Sequence, residues 1–281
     1  PPAPAVTAIP PTCATPTGTI TVTGPVSGTS YTVTGTNPVV AGMTYASGIF
    51  PNLAAGDYIV TSQIGSGCVS TPTATISLAG LVTKTWNAGW LPSGTPDIND
   101  HVVFDADYTI SASLDACSCT VNSTADVTIA SGKFLNIVHD LNVQGTLTFA
   151  NGASLIQEDD DAVNTGVIKY NRTTSAIKNF DYVYWSSPVV GQTLGGFSLG
   201  SDRFYSRIGD DWDQRVGTDV MEAGYGYIAR VPRDTSPQSV TFEGAPNNGD
   251  ITVAVTSAND NLVGNPYPSA INADEFMTIN S

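Results

Sequence analysis

The stretch from Cys119 to Gln157 limits most strongly what this chain can fold into. Apolar residues stand one apart at Cys119/Val121, Val127/Ile129, Leu135/Ile137, Leu141/Val143 and Leu147/Phe149. Because strand side chains alternate between faces, each triplet reads as a short strand with one face turned inward. The separators Asn122-Ser123, Ser131-Gly132, Gln144-Gly145 and Asn151-Gly152 are turn formers: Gly and Asn reach positive φ cheaply, and Ser and Asn bond their own backbone. Such short units cannot make a wide hairpin sheet. A chain coiling on itself, or a tight meander laid against another sheet, would stack them into a ladder of aliphatic side chains. The expectation is a short β-solenoid-like section over residues 81–178. In it, Trp86 and Trp90, with the Pro-rich turn after them, cap the open end of the ladder.

The remainder also reads as all-β. With 281 residues the chain suits two or three domains. Residues 1–16 hold six prolines and read as an extended linker. Residues 17–80 alternate apolar residues with Thr at 19–23, 30–34, 56–61 and 74–78, parted by Gly, Pro and Asn, which is the pattern of an immunoglobulin-like sandwich. From 179 to 281 aromatics become frequent, with strand patterns at 182–185, 203–206, 226–230, 240–243, 249–255 and 261–264. This last part reads as a jelly-roll-like β-sandwich, truncated at its C-terminus. The chain starts at Pro1 without Met and stops just after an incipient helix at 274–277, so it is expected to be an excised part of a longer parent.

Charge narrows the partners. Ten Lys+Arg against 25 Asp+Glu give a net charge of −15, the wrong sign for a phosphate-binding face, so nucleic acid is disfavoured. There is no run of eighteen apolar residues to make a transmembrane segment. Four cysteines in a Thr/Ser-rich chain point to an oxidising exterior. Cys13 and Cys68 bracket the first domain and are the preferred disulfide, which would add about 4 kcal/mol by constraining the unfolded chain. Cys117 and Cys119 share one strand face, a geometry awkward for a mutual bridge and equally open to two buried free thiols.

Two sets of motifs carry a resemblance. Pro11-Thr12-Cys13, the strand Gly18 to Val22, the run Phe50-Pro51-Asn52-Leu53-Ala54-Ala55-Gly56-Asp57-Tyr58 and Gly67-Cys68-Val69-Ser70 resemble the tandem Ig-like repeats of giant Bacteroidetes surface adhesins, over residues 11–79. The strings Asp181-Tyr182-Val183-Tyr184-Trp185-Ser186-Ser187-Pro188-Val189, Gly224-Tyr225-Gly226-Tyr227 and Gly264-Asn265-Pro266-Tyr267-Pro268-Ser269-Ala270 are similar to a module of Bacteroidetes exported proteins that carry a type IX secretion sorting domain. That second likeness spans about 84–281. The resemblance implies a secreted or cell-surface location and an adhesive or structural use, with no catalytic residues.

Among candidate sites, Glu158, Asp159, Asp160 and Asp161 with Asn164 could chelate Ca²⁺ from one flexible loop, or be a solvated turn that keeps strand edges apart. Asp97, Asn99, Asp100, Asp105 and Asp107 form a second oxygen-rich patch, and Asp210, Asp211, Asp213 and Asp219 a third. Sugar hydrolysis by such acids is disfavoured, because a ladder of five short rungs leaves little length for a substrate groove. His101 and His139 come with neither Gly-x-Ser-x-Gly nor His-Glu-x-x-His, so no catalytic role is expected. Trp212, flanked by Asp210, Asp211 and Asp213, is the aromatic most suited to stacking on a sugar. Arg172 enters only as part of the glycan-acceptor pattern Asn171-Arg172-Thr173, a chance match in a bacterial protein.

The sequence thus leads to a non-catalytic, adhesive or structural segment of a large secreted surface protein. Its partners would be other domains of the same parent, surface glycans or neighbouring subunits. The alternatives are a carbohydrate-binding accessory module of a secreted polysaccharide-degrading enzyme, and a filament subunit that exchanges edge strands.

Overall fold

The computed structural model describes residues 1–257 and 259–280. The chain divides into two compact units, Pro1–Val82 and Thr83–Ser281. In both, nearly all of the regular structure is strand, as the alternating patterns require. Among the described residues, no helix is long and apolar enough to cross a membrane.

The first unit has seven strands: β1 (Val6–Ile9), β2 (Gly18–Val22), β3 (Thr29–Asn37), β4 (Val39–Tyr45), β5 (Ile49–Leu53), β6 (Gly56–Ile64) and β7 (Ile76–Leu78). They form two antiparallel sheets, β1-β2-β5 and β4-β3-β6-β7. Alternate residues of β2, β3 and β6 turn inward, so Ile20, Val22, Tyr31, Val33, Tyr58 and Val60 meet Phe50, Leu53 and Leu78 in one core. This is the expected immunoglobulin-like sandwich.

The Phe50-to-Tyr58 run now has a mechanical meaning. Phe50 and Leu53 are buried, Asn52 turns the chain with φ +59°, and the Tyr58 hydroxyl donates back to the Ala54 carbonyl at 2.8 Å. A tyrosine bonding the backbone just upstream, at the start of such a strand, is the tyrosine corner of these sandwiches. Tyr58→Phe keeps the ring and removes the bond, so it should cost about 1 kcal/mol. The circular-dichroism transition of the first unit would move while tryptophan fluorescence would not, since Trp86, Trp90, Trp185 and Trp212 all lie in the second unit.

Two expectations for this unit are corrected. Residues 1–16 are not a linker, because β1 pairs with β2 and Val6 packs against the core. The prolines mislead because Pro4, Pro10 and Pro11 flank the strand, and β1 is a sheet edge that needs hydrogen-bond donors on one side only. The Cys13–Cys68 bridge does not form. Cys13 is buried and disulfide-bonded, whereas Cys68 lies in an exposed stretch after β6 with a free thiol. A mutual bond would require their Cβ atoms to lie about 4 Å apart.

The second unit begins as a parallel coil. Its strands are β8 (Thr83–Trp86), β9 (Trp90–Leu91), β10 (His101–Phe104), β11 (Tyr108–Ile110), β12 (Leu114–Ala116), β13 (Ser118–Val121), β14 (Asp126–Ile129), β15 (Phe134–Ile137), β16 (Leu141–Val143), β17 (Thr146–Phe149), β18 (Ser154–Gln157) and β19 (Ile168–Thr173). Three strands make one coil, and successive coils stack in register on three faces, β8-β10-β13-β16, β11-β14-β17-β19 and β12-β15-β18. Val127 lies beside Leu147 and Leu135 beside Leu155, each 20 residues later. The inward columns Val102-Cys119-Leu141, Ile110-Ile129-Phe149-Tyr170 and Leu114-Leu135-Leu155 are all buried. All five apolar pairs noted in the sequence therefore face inward.

Both ends of the coil are closed by other parts of the unit. At the start, β8 and β9 form a hairpin whose Trp86 and Trp90 rings pack with Phe104 and Tyr108, and Trp86 Nε1 donates to the Asp107 carbonyl at 3.1 Å. At the far end each face is finished differently. Thr165 bridges to Asn142, Leu155 donates its amide to the Pro268 carbonyl, and β24 (Ser239–Gly244) adds antiparallel to β19.

Before β24 come β20 (Tyr182–Trp185), α1 (Leu194–Phe197), β21 (Phe204–Ser206), β22 (Asp213–Arg215) and β23 (Tyr227–Arg230); α2 (Ala273–Ile279) follows it. Here the expected jelly-roll-like sandwich is corrected. The segment forms one antiparallel sheet, β20-β23-β21-β22, and lends β24 to the coil. The patterns at 249–255 and 261–264 give no strands, only isolated bridges at Asn261 and Val263. The reason is burial: Phe197, Phe204, Tyr227 and Phe242 join the same apolar cluster as the coil interior, so the segment has no separate core and no boundary falls at 178.

The Cys117–Cys119 bridge does not form either. The two do not share a strand face: Cys117 occupies the bend between β12 and β13, and only Cys119 lies in β13. Cys117 is disulfide-bonded, while Cys119 sits within the ladder as a free thiol, which burial pushes up to about 12. The two free thiols should therefore react very differently. At pH 8 a thiol reagent is expected to label Cys68 within minutes and leave Cys119 untouched until the protein is denatured. Mass spectrometry showing two fast labels in the native protein would contradict this placement.

Candidate functional site

The acidic exit loop of the coil directs its polar atoms at its own backbone and neighbours. Asp159 accepts from the Asp161 amide at 3.1 Å and pairs with His139 Nδ1 at 2.8 Å. The hydrogen bond from His139 holds the Asp159 carboxyl below the usual carboxylate range. Any stability from this pair is present above the unfolded carboxyl pKa and is lost as pH falls through the lowered folded value. Glu158 accepts from Asn136 at 3.3 Å. Asn164 Oδ1 already takes the Leu141 amide and Gln157 Nε2, both at 3.0 Å, while its amide donates to Gln157 Oε1 at 2.8 Å. From across the loop, Asn248 donates to the Asp159 carbonyl at 2.8 Å and the Ala162 carbonyl at 3.1 Å.

The expected calcium ligands thus do not converge. Among the described residues, no three acidic side chains bring their oxygens within 4.8 Å of one another. Asn164 is a hinge pin for the last coil. In the second patch, Asp97 and Asp100 cap a turn through bonds to the Asn99 and Asp97 amides, and Asp107 accepts the Asp126 amide at 2.9 Å. Trp212 is 39% exposed beside β22, with the Arg207 guanidinium 5.5 Å from its ring and Arg207 in turn paired to Asp260.

A better-formed site lies elsewhere in the second unit. A cleft of about 490 Å³ opens between β19, β20 and the loop 262–270. β19 supplies Tyr170, buried, and Arg172, half-buried, with the guanidinium 3.6 Å from the Tyr170 ring centroid. Burial pulls the Arg172 pKa down to about 10. From β20 come Tyr184, 65% exposed, and Trp185, whose ring packs on Phe197 and Phe242.

The 262–270 loop is pinned from several sides. Asn265 accepts the Tyr267 amide at 2.9 Å, the Tyr267 hydroxyl donates to the Gly249 carbonyl at 2.6 Å, and Asn247 bridges the Pro266 and Ser187 carbonyls. Gly264 is required here: a Cβ at this position would lie 2.4 Å from that of Ser186. The two strings singled out in the sequence, one around Trp185 and one around Asn265, therefore meet at a single cleft.

Reading the sequence missed Arg172, yet a signal was present. In a chain with 25 acids, residues 162–180, 182–201 and 261–273 contain none, and these are the segments that build most of the cleft wall.

A family model described as "Domain of unknown function (DUF8693)" matches residues 77–281, which take in all of the second unit. No curated protein and no solved structure matches the chain.

Proposed function

We propose that this chain, which belongs to that family, is a non-catalytic structural and adhesive segment of a secreted bacterial surface protein. The observation that carries the reading is the coil itself, whose interior is filled by continuous columns of buried aliphatic and aromatic side chains and whose two ends are closed within the unit. A filled, capped coil has no internal channel for substrate and suits bearing load. The disulfide-bonded Cys13 supports an oxidising, extracellular setting, since such bonds rarely persist in a reducing cytosol. The Ig-like unit, with its tyrosine corner, supports the likeness to surface adhesin repeats.

Held by its ends in a force spectrometer, the chain is expected to give two cooperative unfolding events, one for each unit. Extension without a force peak would overturn the mechanical reading. A second reading, a carbohydrate-binding accessory module, is favoured by one observation, the exposed Trp212 ring beside Arg207. Binding to a glycan array that disappears in Trp212→Ala would support it, and unchanged binding would remove Trp212 from the site.

A further inference from the structure

We infer that the cleft around Arg172 binds an acidic sugar, a uronic acid residue within an oligosaccharide, through its carboxylate. The first argument is charge. The chain carries a net −15, but no Asp or Glu lines this cleft, and its one ionised wall residue is Arg172. Among the described residues, Arg207 and Arg230 each pair with a carboxylate, at Asp260 and Asp202. Arg172 has no such partner. Its guanidinium donates to the carbonyls of Asn171 at 2.8 Å, Ala153 at 2.9 Å and Ala150 at 3.5 Å. Those contacts fix its plane and use three of its five donors, leaving the others for a ligand. A half-buried guanidinium without a counter-charge is costly to keep, and a bound carboxylate would repay that cost with a charge-assisted pair.

The second argument is independent of charge. Trp185 Nε1 and Ser186 Oγ are buried and have no hydrogen-bond partner, and both residues line the cleft. Buried polar atoms are nearly always partnered, so two orphans on neighbouring residues just behind the cleft wall leave hydrogen-bonding capacity that a ligand can use once those side chains turn toward it. The indole N–H can only donate, so such a ligand must offer acceptors. A carboxylate together with ring hydroxyls and ring oxygen meets this demand. The third argument is shape. Tyr184 leaves most of its ring in solvent at the rim, positioned for a pyranose face, and about 490 Å³ is room for a short oligosaccharide.

The test is calorimetric titration of the full chain with trimers of galacturonic, glucuronic and mannuronic acid. The neutral hexose trimers and the methyl-esterified uronate serve as controls. At least one free uronate is expected to bind about tenfold or more tightly than its neutral and esterified counterparts. Arg172→Gln should abolish that preference. Because Arg172 also braces backbone carbonyls, Tyr184→Ala provides the second variant: its ring is exposed, so the fold should be kept, and affinity should fall about fivefold. Absence of uronate binding up to about 10 mM would overturn the assignment. So would equal affinity for the neutral sugars, or preference for an acidic peptide over every uronate. None of these outcomes bears on the mechanical reading, which rests on the coil.

Discussion

Phe149→Ala is expected to lower the unfolding free energy of the second unit by about 3–5 kcal/mol. Phe149 is fully buried in the third coil, between Ile129 of the coil before and Tyr170 of the strand after, with its ring centroid 6.0 Å from that of Tyr170. Truncation removes apolar area that folding takes from water and leaves a cavity. The cavity cannot close readily, because three faces of hydrogen-bonded strands hold the walls apart in fixed register. Phe149→Leu keeps most of the volume and should cost about 1 kcal/mol. Urea titration followed by tryptophan fluorescence reads the second unit alone. An unchanged slope with a lowered midpoint would assign the effect to the folded state. A loss of less than about 1 kcal/mol for the alanine variant would mean that the coil interior is far more yielding than its packing indicates.

Gly166→Ala should be comparably severe for a different reason. Gly166 has φ +83°, and a Cβ there would lie 1.8 Å from the Val143 carbonyl oxygen. The chain cannot step aside, because Thr165 is held on both sides, donating to the Leu141 carbonyl and accepting the Val143 amide, each at 2.9 Å. Left-handed strain together with the clash should cost about 3 kcal/mol or more. Gly132→Ala separates the two contributions. Gly132 has φ +71° but open space around its Cβ position, so only the backbone penalty of about 1 kcal/mol remains. If the two variants melt together, close approach is not what fixes Gly166.

The coil was legible in the sequence because each rung repeats a period of two over three residues and is bounded by turn formers. That signal depends on no distant partner. Its threefold cross-section was not legible, because alternation tells which residues face inward but not which strand lies beside which. β1 was hidden by the prolines around it, whose restrictions bind at their own positions and not at Val6 or Ala8. The jelly-roll expectation failed since aromatic strands at 182–185 and 240–243 read alike, whereas the first stays in its own sheet and the second joins the coil. The cleft was the hardest to foresee. Arg172 is held by Tyr170 and the carbonyls of Ala150 and Ala153, but the opposite wall of its cleft comes from Trp185 and from Gly264, 92 residues on, and the local trace of that meeting was a shortage of acids.

The manner in which the coil ends has a consequence for how such a coil could lengthen. Thr165, Pro268 and β24 each engage only the last rung of a face, and the tryptophan hairpin engages only the first. The end pieces therefore do not register how many turns stand between them. Duplicating one period of about twenty residues should extend the coil by one strand spacing, about 4.8 Å, with the same closures at either end. A gene for this fold can thus behave as an adjustable ruler, altering reach in fixed increments without redesigning its terminators.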